Sequence, residues 1–128
     1  MEVSAMPDKI KILIIDDEEV VCSSCERFLE EEGYDVRTVY NGRDGIKLID
    51  ENNYDIVITD LKMPGLSGMQ ILEYVRDNHP DVRVIMITGY STSANEEESI
   101  SRGAADYLPK PFAPSELLAV VKKTSGKK

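Results

Sequence analysis

Long apolar runs are missing from this 128-residue chain. The uninterrupted ones, among them residues 12–15, 84–87 and 117–121, fall far short of the roughly 20 residues that a helix needs to span a bilayer. A helical membrane span is thereby excluded. Residues 1–8 offer neither a basic region nor an apolar stretch, so no secretory signal is read there and a cytoplasmic location is expected. Positive charge is also in short supply: 15 Lys and Arg stand against 24 Asp and Glu, for a net charge of −9. Such a surface repels phosphate backbones, which argues against direct nucleic-acid binding and leaves that role to another domain. Cysteine and histidine number two and one. Cys22 and Cys25 form a Cys-x-x-Cys, but a zinc site wants a second pair or histidines, and His79 stands alone in a helix-ending turn. No Gly-x-Gly-x-x-Gly follows the first apolar run, and no Gly-rich segment ends in Gly-Lys-Ser or Gly-Lys-Thr. The two common nucleotide cradles are therefore absent.

What is there is the composition of one ordinary globular domain, 41% hydrophobic and 30% charged, with a length that accommodates a single core. Residues 9–123 read as that domain, between an arm at 1–8 and a basic tail at 124–128. Strands are expected at 10–15, 35–39, 56–60, 82–87 and 106–108. Helices are expected at 18–32, 41–50, 67–77 and 91–102, with a last one from Pro114, a favoured first helical residue. Gly33 suits the stop of the first helix, and Asn41 with Asp44 the start of the second. Gly45 inside that helix costs about 1 kcal/mol relative to Ala. Val21, Cys25, Phe28 and Leu29 share one helical face, which makes Cys25 a small core residue. The fourth helix is the weakest, with only Ala94 and Ile100 as inward candidates. Strands alternating with helices require right-handed crossovers, hence an α/β fold with a doubly wound parallel sheet and helices on both faces.

In such a sheet the carboxyl ends of all strands emerge on one rim, where ligands bind. Asp16 and Asp17 follow the first strand, Asp60 ends the third, Thr88 the fourth, and Lys110 follows the fifth. Three carboxylates about 5 Å apart repel by about 3 kcal/mol per pair at an effective dielectric near 20. That cluster calls for a cation, and hard oxygen ligands favour Mg²⁺ over zinc. A metal-held carboxylate can act as a nucleophile toward a phosphoryl group, whose oxygens the cation, the Lys110 ammonium and the Thr88 hydroxyl would neutralise.

At these residues the chain resembles the receiver (CheY-like) domain of two-component response regulators. The resemblance covers about residues 9–123 and rests on Asp16-Asp17, Asp60-Leu-Lys-Met-Pro-Gly, Thr88-Gly89, and Gly103-Ala-Ala-Asp-Tyr-Leu-Pro-Lys110-Pro-Phe. It implies a flavodoxin-like strand order 2-1-3-4-5 and phosphorylation of Asp60 by a sensor histidine kinase or phosphotransfer protein. It further implies Mg²⁺ on Asp17, Asp60 and the Lys62 backbone carbonyl, with Asp16 reaching it through water. Thr88 and Tyr107 would be the switch pair, read out on the face of the fourth helix, fifth strand and fifth helix, and Lys110-Pro111 a cis peptide. Lys62 and Tyr90, two residues after Asp60 and Thr88, stand where such domains tune phosphate lifetime, and slow self-dephosphorylation is expected. Homodimerisation on phosphorylation and an output domain outside this sequence stay open.

Three departures from the pattern stand out. Ser67 replaces a common Asp, keeping a capping oxygen but no charge, and Ala113 takes the place of a capping residue. The polar fourth helix should pack loosely. Two other readings are a pseudo-receiver that binds partners unphosphorylated and a phosphatase of the haloacid dehalogenase type. No rim residue is missing, against the first, and Lys62 stands where the second wants an Asp.

Overall fold

Ten elements alternate along the chain in a computed structural model that describes residues 9–125. They are β1 (Lys11–Ile15), α1 (Glu19–Glu31), β2 (Asp35–Val39), α2 (Gly42–Glu51), β3 (Ile56–Asp60), α3 (Gly68–Asn78), β4 (Arg83–Thr88), α4 (Ser93–Ser101), β5 (Asp106–Pro109) and α5 (Pro114–Ser125). The strands form one sheet in the order β2-β1-β3-β4-β5, every pair parallel. This is the expected flavodoxin-like order. Residues 1–8, read above as an arm, lie outside the described residues. No described helix is long and apolar enough to cross a membrane.

The continuous apolar character of β1, β3 and β4 follows from their central places, with both faces covered. Leu13, Ile15, Val57 and Met86 face Ile49 of α2 and Ile71, Leu72 and Val75 of α3. Ile12, Ile14, Ile58, Ile85 and Ile87 face Cys22, Cys25 and Leu29 of α1 and Leu117 and Val121 of α5. Cys25 is a core residue as expected, and Cys22, which periodicity did not single out, is buried more deeply. Burial pushes the thiols up to about 12 and about 11, so both stay protonated and unreactive at neutral pH.

Gly45 has a reason that helix propensity does not reveal. A Cβ there would lie 2.4 Å from Cδ1 of the buried Ile15, so the glycine lets α2 settle against β1. Ser67 caps α3 in a reciprocal box with Gln70, and at α5 the missing cap on Ala113 is partly replaced by Glu116, whose carboxylate accepts from the Ala113 amide at 2.7 Å. His79 closes α3 and meets Asp50 of α2 at 2.8 Å, a contact between helices well away from the rim chemistry.

Two expectations are corrected. The tail was placed from residue 124, but α5 runs on through Ser125 and Thr124 is 7% exposed. Ala94 and Ile100 were expected to face inward from α4, yet both are exposed and Ser99 is the buried residue. The Thr92 hydroxyl accepts from the Asn95 amide and sets the helix phase, which turns Asn95, Ser99 and Arg102 toward the protein. Ser99 satisfies its hydroxyl on the Asn95 carbonyl at 2.8 Å, and Arg102 pairs with Glu73 of α3 and Glu98. Polar contacts hold this helix where apolar ones hold the others.

Candidate functional site

The carboxyl-terminal rim gathers side chains from β1, β3 and β5. Asp16 directly follows β1 and is fully buried, with Oδ1 accepting from the Glu18 amide at 2.9 Å. Asp17 beside it is exposed, and Asp60 at the end of β3 is 5% exposed. Carboxylate oxygens from Asp16, Asp17 and Asp60 lie within 4.8 Å of one another. Lys110 enters from the loop after β5, pinned by its amide on the Thr88 carbonyl at 2.8 Å, just before the cis Lys110–Pro111 bond that the resemblance implied. Its ammonium stands 2.7 Å from Glu18, 2.8 Å from Asp16 Oδ2 and 3.4 Å from Asp60 Oδ2.

Like charges in a buried cleft have a predictable electrostatic result. Burial, then the charge of Asp16, pushes the Asp60 carboxyl up to about 6, while Lys110 and the Lys62 amide pull the other way. Burial also works against the Lys110 charge, but its contacts with Asp16 and Glu18 outweigh that and hold the ammonium above its ordinary range. Asp60 is thus mostly ionised at neutral pH yet more basic than an ordinary aspartate, which suits a nucleophile. Asp16 Oδ2 is buried, and the nearby ammonium approaches it off the hydrogen-bonding direction, so it has no directed partner. Three converging carboxylates, one of them with an oxygen short of a directed hydrogen bond, fit a hard divalent cation.

The floor of this site tolerates no extra atom at Gly68. A Cβ there would come within 2.2 Å of the Asp60 carbonyl oxygen and 2.8 Å of Leu61 Cα, and backbone cannot yield as a side-chain tip can. Gly68→Ala is expected to destabilise the fold by about 2 kcal/mol or more, as overpacking does, and chemical denaturation measures it. A change under a few tenths would mean that the loop after β3 moves freely.

A family model described as the response regulator receiver domain matches residues 12–122. The chain belongs to that family. Receiver domains are signalling domains that accept a phosphoryl group on an aspartate and interact with histidine kinases. The regulatory protein VanR of Enterococcus faecium is 39% identical over 112 residues, which is 88% of this chain and 48% of that protein. The chain therefore spans about half the length of that curated relative. A CheY-like receiver from Methanospirillum hungatei superposes with a TM-score of 0.88 at 31% identity, covering 92% of this chain and 94% of that one. A response regulator from Burkholderia pseudomallei, solved with a phosphorylated aspartic acid, a calcium ion and citrate, gives 0.83 at 32% identity, over 92% and 69% of the two chains.

The other anticipated receiver residues are placed less centrally. Thr88 is fully buried at the end of β4, and its hydroxyl accepts from the Tyr90 amide at 2.9 Å. Tyr107 on β5 is 6% exposed, so its ring is already inward, and its hydroxyl donates to Ser91 Oγ at 3.2 Å. The Lys62 ammonium lies 5.1 Å from the centre of the Tyr90 ring, joining the loops after β3 and β4. Sequence reasoning missed Glu18 as a partner of Lys110. The run Asp16-Asp17-Glu18-Glu19 was a signal of local charge, but which acid meets the lysine depends on a contact between residues 92 positions apart.

Proposed function

We propose that Asp60 is the phospho-acceptor of this receiver domain, taking its phosphoryl group from the phosphohistidine of a sensor histidine kinase or phosphotransfer protein. The observation that carries the reading is one ionisable carboxyl raised to about 6 with Lys110 and two further carboxylates converging on it. An Asp60 oxygen attacks phosphorus, the P–N bond to imidazole breaks, and the imidazole leaves with a proton on its nitrogen. Lys110 neutralises a phosphoryl oxygen, and the Thr88 hydroxyl, released from the Tyr90 amide, turns to another. Held by Asp16, Asp17, Asp60 and the Lys62 backbone carbonyl, Mg²⁺ would supply the remaining charge compensation. The aspartyl phosphate seen in the Burkholderia pseudomallei relative supports this assignment.

Movement of Thr88, with Tyr107 packed behind it, biases the face formed by α4, β5 and α5. A homodimer or an output domain elsewhere in a longer protein would read that face in the cytoplasm. Beyond its own phosphorylation and slow dephosphorylation the domain catalyses nothing. Lys62 and Tyr90, paired across the mouth, obstruct the attacking water, so phosphate loss is slow.

Incubation with acetyl phosphate and Mg²⁺, followed by intact mass, tests the reading. A stable added phosphate that Asp60→Asn abolishes is expected, and replacing Lys62 and Tyr90 together by serine should hasten its loss. Absence of phosphate in the unaltered chain would favour a pseudo-receiver, and rapid turnover of many phosphoesters a phosphatase.

A further inference from the structure

Tyr90 leaves 65% of its surface to solvent, yet it is held at three points. Its amide donates to Thr88 Oγ1 at 2.9 Å, its carbonyl accepts from Asn95 Nδ2 at 2.7 Å, and the Lys62 ammonium lies 5.1 Å from its ring centre. Burial contributes little to placing so exposed a ring: the two hydrogen bonds fix the backbone that carries it, and the Lys62 ammonium faces the ring itself. Two of the three contacts come from the rim itself, and the third comes from α4.

Asn95 is well fixed for that task. Its amide N–H donates to the Thr92 hydroxyl at 3.0 Å, and its carbonyl accepts from Ser99 at 2.8 Å, Ser99 being fully buried. Asparagine is a poor residue inside a helix because its side chain competes for backbone groups. Here the side chain reaches the Tyr90 carbonyl, outside α4. The result is a continuous polar path from Thr88 through Tyr90 and Asn95 to Ser99, within a helix that contributes no apolar residue to either core cluster.

We propose that Asn95 is a positioning residue for phosphate retention: it holds Tyr90, and through Tyr90 the Lys62 ammonium, across the mouth of the Asp60 site. The inference rests on Asp60 being the acceptor. Loss of the phosphate requires a water to attack phosphorus while the P–O bond to the Asp60 carboxylate breaks, giving inorganic phosphate, with the water's proton passing to solvent. Asn95 touches none of these atoms and acts on the approach of the water alone. A partner that shifts α4, or draws away the Asn95 amide, thereby shortens the signal.

The test phosphorylates the whole chain with acetyl phosphate and Mg²⁺, removes the donor and follows the aspartyl phosphate by mass. Asn95→Ala and Asn95→Asp, the latter of the same shape but without the donor, should each hasten loss by about two- to fivefold, the size of an exposed cation–π contact. In a Tyr90→Ala background Asn95→Ala should add nothing. Arg102→Ala, which loosens the far end of α4 from Glu73, should leave the lifetime unchanged. An unchanged lifetime in both Asn95 variants, additivity with Tyr90→Ala, or equal acceleration by Arg102→Ala would overturn the proposal while Asp60 phosphorylation stood. An unaltered chain that takes up no phosphate would remove the parent reading, and this one with it.

Discussion

Asp60→Asn, which removes the proposed phospho-acceptor, should make the protein more stable at neutral pH by about 1–2 kcal/mol in the absence of divalent ions. The Asp60 carboxyl stands at about 6 in the folded chain, against an ordinary value of about 3.9. A group whose folded value is raised takes up protons on folding, so its contribution to stability is lost as pH rises between those two values. Two units correspond to about 3 kcal/mol, and water entering the open mouth brings the figure down to about 1–2. Asparagine keeps the shape and lacks the charge. Urea titrations should therefore show equal stability for the two proteins below about pH 4, a gap opening to about pH 6, and a constant advantage for the variant above that. Added Mg²⁺ should narrow the gap by stabilising the unaltered chain more. A variant less stable than the parent at pH 7 would mean that attraction to Lys110, 3.4 Å away, outweighs burial and the repulsion from Asp16.

Much of this was legible because the fold converts order along the chain into place. Ile56-Val57-Ile58 ends on Asp60, and in a parallel sheet every strand end reaches the same rim, so Asp16, Asp17, Asp60, Thr88 and Lys110 could be grouped without coordinates. Continuous apolar runs identified the central strands for the same reason: burial on both faces leaves no alternation to confuse with a helix. What periodicity could not yield are features decided by polar contacts. With no apolar stripe, α4 carries no signal for its rotation, and the guess that Ala94 and Ile100 faced inward put the wrong side toward the sheet. Its orientation follows from the Thr92 cap at its start, while the Arg102 pairs only fasten its far end. Glu18 meeting Lys110 and Gly45 sitting against Ile15 are likewise facts of packing between distant segments, and Asn95 meeting Tyr90, only five residues away, depends on how the loop after β4 turns into α4.

The largest loss should come from Lys110→Ala. The Lys110 side chain is 13% exposed and faces Asp16, which is fully buried, and Asp60 at 8%, so its removal leaves two desolvated carboxylates without their cation. Breaking a buried pair from one side typically costs about 3–5 kcal/mol, and the partial exposure here points to about 3. The ammonium's folded value is raised, so its contribution is complete at all pH below the ordinary lysine range and disappears only as pH rises through that higher value. The deficit of the variant should thus be largest at alkaline pH and shrink as pH falls toward about 6, because the Asp60 carboxyl, no longer held down by the ammonium, takes up a proton instead. Glu18→Gln removes the nearest partner of Lys110 as well, but the Glu18 side chain is 61% exposed, so its effect should stay under about 1 kcal/mol. The two variants together separate a desolvated pair from a solvated one at the same nitrogen. Mg²⁺ should restore much of the stability of Lys110→Ala by neutralising the same carboxylates, without restoring phosphate capture from acetyl phosphate, because the ammonium that neutralises the phosphoryl oxygen is gone. Restoration of both would assign the lysine a purely structural part, and restoration of neither would mean that the carboxylates do not form one site.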